Sequence, residues 1–320
     1  MKPSSDFAAG GDPLVDARAS LIAESVALPP DRHGDALGEA SSRPRDRLRA
    51  THAFRIRLPL RGLATIVYTM ENARVHEEQL VIGDAFGEVL LACQRAGGAS
   101  GVAYELIERS DGFLAAMDAA RYFSTDPDSA FELAQGRVLD IGAGAGRASV
   151  ALHDRGQDVL ALDISPGATA VCRDRGVPTT YSGSVFELAA SGPAPFDTFL
   201  MLGNNLGLLA GPAEAPLVLE ALAAMAAPGA RIVGETADPY TTNRPLHLDY
   251  HEQNRRSGRL PGQLRLRVRH ERTVTPWWDY LLCTPDELEE IIGPTPWTLA
   301  GVQPRPSPSP QWLATLHLGG

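Results

Sequence analysis

Lysine is almost missing from this chain: Lys2 is the single one, and the remaining basic residues are arginine. With abundant Ala, Gly and Pro, that bias reads as the mark of a GC-rich genome rather than of function. Basic residues are also outnumbered, 29 against 39 acidic ones, for a net charge of −10. A broad nucleic-acid surface is thereby excluded, because phosphate contacts need a basic face. Cysteine is scarce too. Cys93, Cys172 and Cys283 are odd in number, far apart and form no C-x-x-C pair. Neither a disulfide framework nor a zinc ribbon is indicated, and buried free thiols in a reducing cytoplasm are expected. No apolar run reaches membrane-spanning length, and no basic n-region with a following apolar core marks a signal peptide. No internal repeat is visible.

What is present is concentrated in Val138-Leu-Asp-Ile-Gly-Ala-Gly-Ala-Gly-Arg147. The pattern predicts a buried strand, a glycine-rich turn and a helix opening directly after it. Glycines at 142, 144 and 146 let backbone approach a ligand closely, since no Cβ intervenes. The helix N-terminus behind them presents N–H groups. A nucleotide-like cofactor across the first strand–helix junction of an α/β sheet follows. The dinucleotide fingerprint would be G-x-G-x-x-G, whereas here the third glycine comes one residue early. A nicotinamide oxidoreductase is therefore disfavoured. Val159-Leu-Ala-Leu162 is a short apolar run suited to a buried parallel strand. It ends in Asp163, about 20 residues past the loop, where a carboxylate can accept hydrogen bonds from ribose hydroxyls. Ser165-Pro166 then starts a helix.

These features closely resemble motif I and its sequel in the class I S-adenosylmethionine-dependent methyltransferases. The resemblance implies that Asp140 serves the methionine amino end of the cofactor and that Gly142, Ala143 and Gly144 make room for it. It implies that Asp163 holds the ribose and Ile164 touches adenine. Many members have an acidic residue after the third strand; this chain has Ser184, and the Ser184-Val185 backbone can read the ring instead. Phe196-Asp197 and the following apolar run resemble motif IV. Leu202, Gly203 and Asn204 at its carboxyl end are expected at the cofactor, with Asn205 at the substrate, unless the two amides only satisfy backbone groups of the turn. The acidic-Pro-Pro-Tyr signature of amino N-methyltransferases is absent.

The implied fold is α/β: a Rossmann-like, doubly wound, seven-stranded, mostly parallel sheet with an antiparallel last strand. Pro228-Gly229 precedes the fifth strand, Ala230 to Gly234, with Glu235 at its end. Trp297–Val302 and Gln311–Leu318 form the terminal hairpin. Residues 1–50 read as a disordered or loosely attached extension. Residues 51–134 read as an N-terminal helical or lid segment that shapes the substrate pocket, and 135–320 as the cofactor-binding domain. Within 51–134, a strand or lid edge falls at 54–68, a helix over 82–94 ending at Gly97-Gly98, a strand and turn over 104–113, and helices over 115–123 and from Asp126 to Gln135. Glu108, Arg109, Asp111, Tyr122 and Phe123 are the pocket candidates there, Tyr122 foremost.

An insertion at about 240–283 follows the fifth strand. Thr236 to Gly262 reads as a long irregular stretch, a feature that in a compact domain is usually functional or flexible. His247 and His251 would share one face of a helix. His-Glu-x-x-His is not formed, because position 255 is Arg, and no metal site is expected. Two readings stay open: a general base, with His251, Tyr250 and His247 as candidates, and a helix packed on the sheet with its histidines at the rim. Gln263 to His270 alternates strictly, a half-buried antiparallel strand. Its Arg265, Arg267 and Arg269 are either a solvated face or a grip on a substrate carboxylate or phosphate. Thr275–Leu282 pairs back as a hairpin whose Trp277 can roof the pocket. Thr284-Pro285-Asp286-Glu287 is a strong helix start.

The expected function is methyl transfer from S-adenosyl-L-methionine to an O, N or C nucleophile of a small molecule, in bacterial, secondary-metabolic style. Two alternatives stay open: a fold that binds the cofactor without transfer, as sensor or partner subunit, and a scaffold turned to cyclisation or hydrolysis. No nucleic acid or membrane partner is expected, and a homodimer is left open.

Overall fold

The computed structural model describes residues 80–306 and 309–319, together with two short strands, β1 (Ala53–Arg55) and β2 (Val67–Thr69). The chain divides into two units, 1–79 and 80–320. Of the first, β1 and β2 form an antiparallel ribbon, Phe54 opposite Tyr68. The extension expected over residues 1–50 lies outside the described residues.

The second unit is built on a seven-stranded sheet. Its strands are β6 (Val138–Ile141), β7 (Val159–Asp163), β8 (Thr179–Ser182), β9 (Phe196–Met201), β10 (Ala226–Ala237), β14 (Trp297–Pro304) and β15 (Gln311–Leu318). Their order is β14-β15-β10-β9-β6-β7-β8, with β15 inserted antiparallel between β10 and β14. Every residue of β6 and β7 is buried. Covered on both faces, parallel strands need continuous apolar runs, which is why these two lack alternation. One face packs Leu139, Phe199, Leu219 and Trp297 into the main core. Trp297 sits edge-on to Phe199, and its indole N–H donates to the Leu219 carbonyl at 2.9 Å. The other face packs Val138, Leu152, Leu200, Val233 and Leu313. All three cysteines are free and buried.

The helices begin where their caps dictate. Ser165 caps α3 (Pro166–Asp174) by accepting from the Ala168 N–H, and Pro166 occupies the first turn. Ser184 and Glu187 form a capping box on α4 (Val185–Ala190), and Thr284 and Glu287 form another on α7 (Pro285–Ile292). The remaining helices are α1 (Ala85–Arg95), α2 (Arg147–Asp154), α5 (Ala215–Ala224) and α6 (Pro245–Arg256).

A second sheet joins the segment before the glycine loop to the one after β10. It contains β3 (Val81–Ile82), β4 (Tyr104–Arg109), β5 (Leu114–Asp118), β11 (Gln263–His270), β12 (Thr273–Val274) and β13 (Trp278–Leu281). The order is β3-β12-β11-β4-β5, and β13 also pairs with β11. The register sets Leu266 opposite Arg109 on one edge of β11 and opposite Trp278 on the other.

Four local expectations are corrected. Residues 115–123 are not helical: 114–118 are strand β5, and 119–123 form a 3-10 turn capped by Asp118. Pairing with β4 overrides the helix preference of Ala115 and Ala116. The helix from Asp126 to Gln135 is only a 3-10 turn over Ser129–Leu133. The helix expected from Ile82 starts at Ala85, because Asp84 caps it and Val81-Ile82 pair with β12. The stretch 236–262 is largely ordered: β10 runs on to Ala237, and Pro245 opens α6.

Candidate functional site

The glycine loop lies between β6 and α2. Gly142, Gly144 and Gly146 all have positive φ, at 70°, 58° and 79°. A Cβ on Gly142 would stand 2.5 Å from the Asn205 amide nitrogen, and one on Gly144 would stand 3.4 Å from the Tyr122 ring. The turn therefore needs glycine for conformation at all three positions and for space at Gly142. Its first amides are spoken for: the N–H groups of Gly142 and Ala143 donate to the Leu162 carbonyl at 2.9 and 3.0 Å. Gly146, preceding α2, makes no side-chain cap bond.

Two acids behind the loop are almost fully buried. Asp140 accepts from the Ser149 N–H at 3.1 Å and its hydroxyl at 2.6 Å, tying strand to helix. Burial raises its carboxyl, opposed by the Ser149 bonds and the Arg147 charge. Asp163 accepts from the Gly144 N–H and the Ser165 N–H, each at 2.9 Å. Burial lifts its carboxyl to about 6 against those two bonds, with Asp84 and Asp140 adding repulsion. Asp163 thus ties the second strand to the loop. Beside it Ile164 is 77% exposed, a large apolar side chain left in the open at the strand end.

The remaining cofactor candidates divide. Ser184 donates its N–H to Glu187 Oε2 at 2.7 Å and its hydroxyl caps α4, so its polar atoms already serve the helix. The capping box uses the Ser184 N–H, one of the backbone groups expected to read adenine. Val185 is half-buried behind it. Leu202 points into the core with Val233 and Leu313, so only its backbone can border a ligand. Gly203 donates its N–H to Glu235 Oε2 at 2.7 Å, and Arg305 holds the other Glu235 oxygen at 2.9 Å. Asn204 has φ 68°; its side-chain oxygen accepts from Gln311 at 2.9 Å and its carbonyl from the Tyr280 hydroxyl at 2.5 Å. Asn205 donates to the carbonyls of Ile141 and Gly142 at 3.0 and 2.8 Å, stapling the end of β9 to the glycine loop.

Over the loop lies the segment from 84 to 123. Tyr122 contacts the Gly144 position and meets Phe86 edge-to-face at 5.3 Å. Its hydroxyl donates to Glu105 Oε2 at 2.6 Å. Arg175, at the end of α3, donates to the carbonyls of Tyr122, Phe123 and Ala145, clamping this turn to the loop. Asp84 accepts from Gly87, Ser165 and Gly167, fixing the start of α1 against α3. The sequence reading missed Glu105, Arg175 and Asp84. Only Asp84 carried a local signal, as an acid three residues before an N–H that needs a partner.

The other candidates are placed elsewhere. Strand alternation puts Glu105, Ile107, Arg109, Leu264, Leu266 and Tyr280 on one face of the second sheet. Arg265, Arg267 and Glu108 take the opposite face. There Arg265 pairs with Asp279 at 3.1 Å, and Arg267 and Arg269 pair with Glu108 at 2.8 and 3.2 Å. Trp277 lies against the Arg267 guanidinium at 4.6 Å. Arg265, Arg267 and Trp277, expected at the substrate, are therefore turned away from the Tyr280 face, since neighbours on a strand point oppositely.

Tyr250 is occupied structurally. Its ring lies 4.1 Å from the Arg109 guanidinium, and its hydroxyl accepts from the Arg265 N–H at 3.3 Å. Arg109 also pairs with Asp111 at 2.7 Å. His247 meets the Phe113 ring edge-on, with Nδ1 3.2 Å from the Thr242 hydroxyl, and its Nε2 is buried without a partner. His251 is buried beside Tyr240. Burial holds both imidazoles below their usual value, and neighbouring arginines push the same way. Tyr250 and His247 gather at the Arg109–Phe113 end of β4, about 13 Å along the strand from Glu105 and Tyr122. Among the described residues no cluster of His, Cys, Asp and Glu is placed to hold a metal.

The strand order, the positive-φ glycine turn and the acid closing the second strand together define the fold of class I S-adenosylmethionine-dependent methyltransferases. Residues 138–229 match the family model described as a methyltransferase domain. The matched segment holds the glycine loop and four strands of the seven-stranded sheet, and it carries the likeness to this class. The ubiquinone biosynthesis O-methyltransferase of Xanthomonas euvesicatoria pv. vesicatoria is 33% identical over 106 residues, 32% of this chain and 43% of that protein. That of Xylella fastidiosa strain 9a5c is 34% identical over 109 residues, again 32% and 43%. The chain thus spans less than half the length of these curated relatives. A methyltransferase from Bacteroides fragilis, solved with S-adenosyl-L-homocysteine, shares the fold with a TM-score of 0.62 at 20% identity. That match covers 76% of this chain and 100% of the other.

Proposed function

We propose that this chain transfers the methyl group of S-adenosyl-L-methionine to a nucleophile on a small molecule. The observation that carries the reading is the loop itself. Glycines at 142 and 144 hold a positive-φ turn packed close under Asn205 and Tyr122, with Asp163 behind it and Ile164 exposed beside it. The donor set suits the cofactor. Asp163 has lone pairs beyond its two backbone bonds for the ribose hydroxyls, and Ile164 offers an apolar surface to adenine. Asp140 and the unbonded side of the loop would serve the methionine end.

When bound, the cofactor supplies an already activated methyl group. The chain's own work is then positioning and exclusion of water, which need no dedicated base. Asn205 and Glu235 hold the end of β9 at the loop, and Tyr280 closes over it from the second sheet. The face carrying Glu105, Ile107, Leu264 and Tyr280 is the proposed acceptor wall. The printed activity of the curated relatives favours an oxygen nucleophile. The acidic charge argues for a small acceptor rather than nucleic acid, and three buried thiols suit a reducing cytoplasm.

The test is incubation of the purified chain with methyl-tritiated S-adenosyl-L-methionine and a small-molecule extract of the source cells. Label in a new organic-extractable product, one methylene heavier than its precursor, is expected. Cofactor binding with no labelled product from any extract would favour a sensor.

A further inference from the structure

The carboxylate of Glu105 is buried on the second sheet with little around it to satisfy it. It is 5% exposed, and among the described residues its one hydrogen-bond donor is the Tyr122 hydroxyl. Three observations fix where it stands. Tyr122, its partner, has its ring against Gly144 in the middle of the cofactor loop. On the same face of the second sheet, Tyr280 reaches Asn204 at the end of β9. Asn205, the next residue, is bonded to the end of β6 and to Gly142. Glu105 therefore sits across from the gap between the glycine loop and the end of β9. That gap is where the reacting end of the cofactor would meet an acceptor.

We propose that Glu105 is a specificity-determining residue that faces the sulfonium of the bound cofactor and makes the site prefer it to the neutral thioether product. This rests on the methyltransferase reading above. The argument is electrostatic. S-adenosyl-L-methionine carries a positive sulfur and S-adenosyl-L-homocysteine does not, while their ribose, adenine and amino-acid ends are the same. A carboxylate in a low-dielectric pocket discriminates between them by charge alone. In transfer a lone pair of the acceptor forms the new bond to the methyl carbon, the sulfur–methyl bond breaks with its pair left on sulfur, and the positive charge passes to the acceptor, which sheds it with a proton. Glu105 then loses its partner, which loosens the product.

The groups facing Glu105 fit this role. They are Tyr122 and Arg121 from the 3-10 turn and Tyr280 from β13, with Glu235 of β10 beyond Tyr280. Burial raises the Glu105 carboxyl, while the Tyr122 hydroxyl and the more distant Arg121 charge only partly offset it. Such a carboxylate gains from a cation placed beside it.

The experiment is calorimetric titration of the full chain with S-adenosyl-L-methionine and, separately, S-adenosyl-L-homocysteine. Wild type, Glu105→Gln and Tyr122→Phe are compared. In Glu105→Gln the sulfonium cofactor is expected to weaken at least tenfold and the thioether less than threefold. Tyr122→Phe removes the donor that opposes burial at Glu105 and should lower the ratio of the two affinities, through the sulfonium cofactor more than the thioether. Equal weakening of both ligands by Glu105→Gln would mean a structural role and would overturn the proposal; so would no weakening of either. Should Glu105→Gln fail to fold, Glu105→Asp retains the charge and must retain the preference, and a lost preference refutes the proposal. Wild type that binds neither ligand would instead refute the methyltransferase reading itself.

Discussion

Replacing Asp163 by Asn separates what this acid does for the fold from what it does for a cofactor. Asp163 is buried, and its carboxyl stands at about 6 rather than 3.8. The sign is that of a carboxylate raised by folding: it lowers stability progressively as pH rises from about 4 to about 6, and by a constant amount above that. A shift of two units corresponds to about 3 kcal/mol against the ionised form at neutral pH. Asn is neutral like the protonated acid and keeps one oxygen for Gly144 or Ser165, but its NH2 faces the other donor and offsets part of that gain. Asp163→Asn without ligand should therefore stay within about 1–2 kcal/mol of wild type at pH 7, by urea unfolding. Cofactor binding should move the other way. A charge-assisted bond to a ribose hydroxyl is worth about 2 kcal/mol, roughly thirtyfold in Kd. Calorimetry should show that loss at pH 7.5. Wild-type affinity should also fall as pH drops through about 6, because the ribose hydroxyls favour the ionised acid, while the variant stays flat. A variant that binds S-adenosyl-L-methionine within threefold of wild type would refute the assignment of Asp163 to the ribose.

Three further outcomes are expected. Gly142→Ala combines a φ of 70° with a Cβ 2.5 Å from Asn205, so it should cost about 2–4 kcal/mol in denaturant unfolding and weaken the cofactor as well. Arg175→Ala removes donors from three carbonyls; hydrogen exchange should rise at 119–123 while the amides of β6 stay protected, and uniform protection would refute the clamp. Trp297→Phe loses the bond to Leu219 and part of the core, about 1–2 kcal/mol, with cofactor affinity unchanged.

Much of the seven-stranded sheet was legible because its signals are local. Val138–Ile141 and Val159–Asp163 are buried runs, apolar but for Asp140 and Asp163, and the turn after the first carries glycines at alternate positions. Ser165-Pro166 and Thr284-Pro285 announce their helices by caps that act within three residues. The second sheet was not legible as one object. Its central pairing joins Glu108 to Arg267, 159 residues apart, and no local pattern encodes such a partnership. The same gap left the strand's faces unassigned. Alternation along Gln263–His270 was plain, but what each face meets depends on β4 and β13. The arginines, read as a solvated face or a substrate grip, pair with Glu108 and Asp279. Leu114–Asp118 has the composition of a helix and becomes a strand because β4 offers it an edge. Glu105 looked like any charge on a half-buried strand, and its partner Tyr122 comes from a different element.

The central claim is that the glycine loop holds S-adenosyl-L-methionine. Titrating the purified chain with that cofactor and with NADH, by calorimetry, tests it most directly. Saturable binding of S-adenosyl-L-methionine at one site, weakened by Gly142→Ala and with no heat from NADH, is the predicted result. Binding of NADH in its place, or of neither ligand, would contradict it.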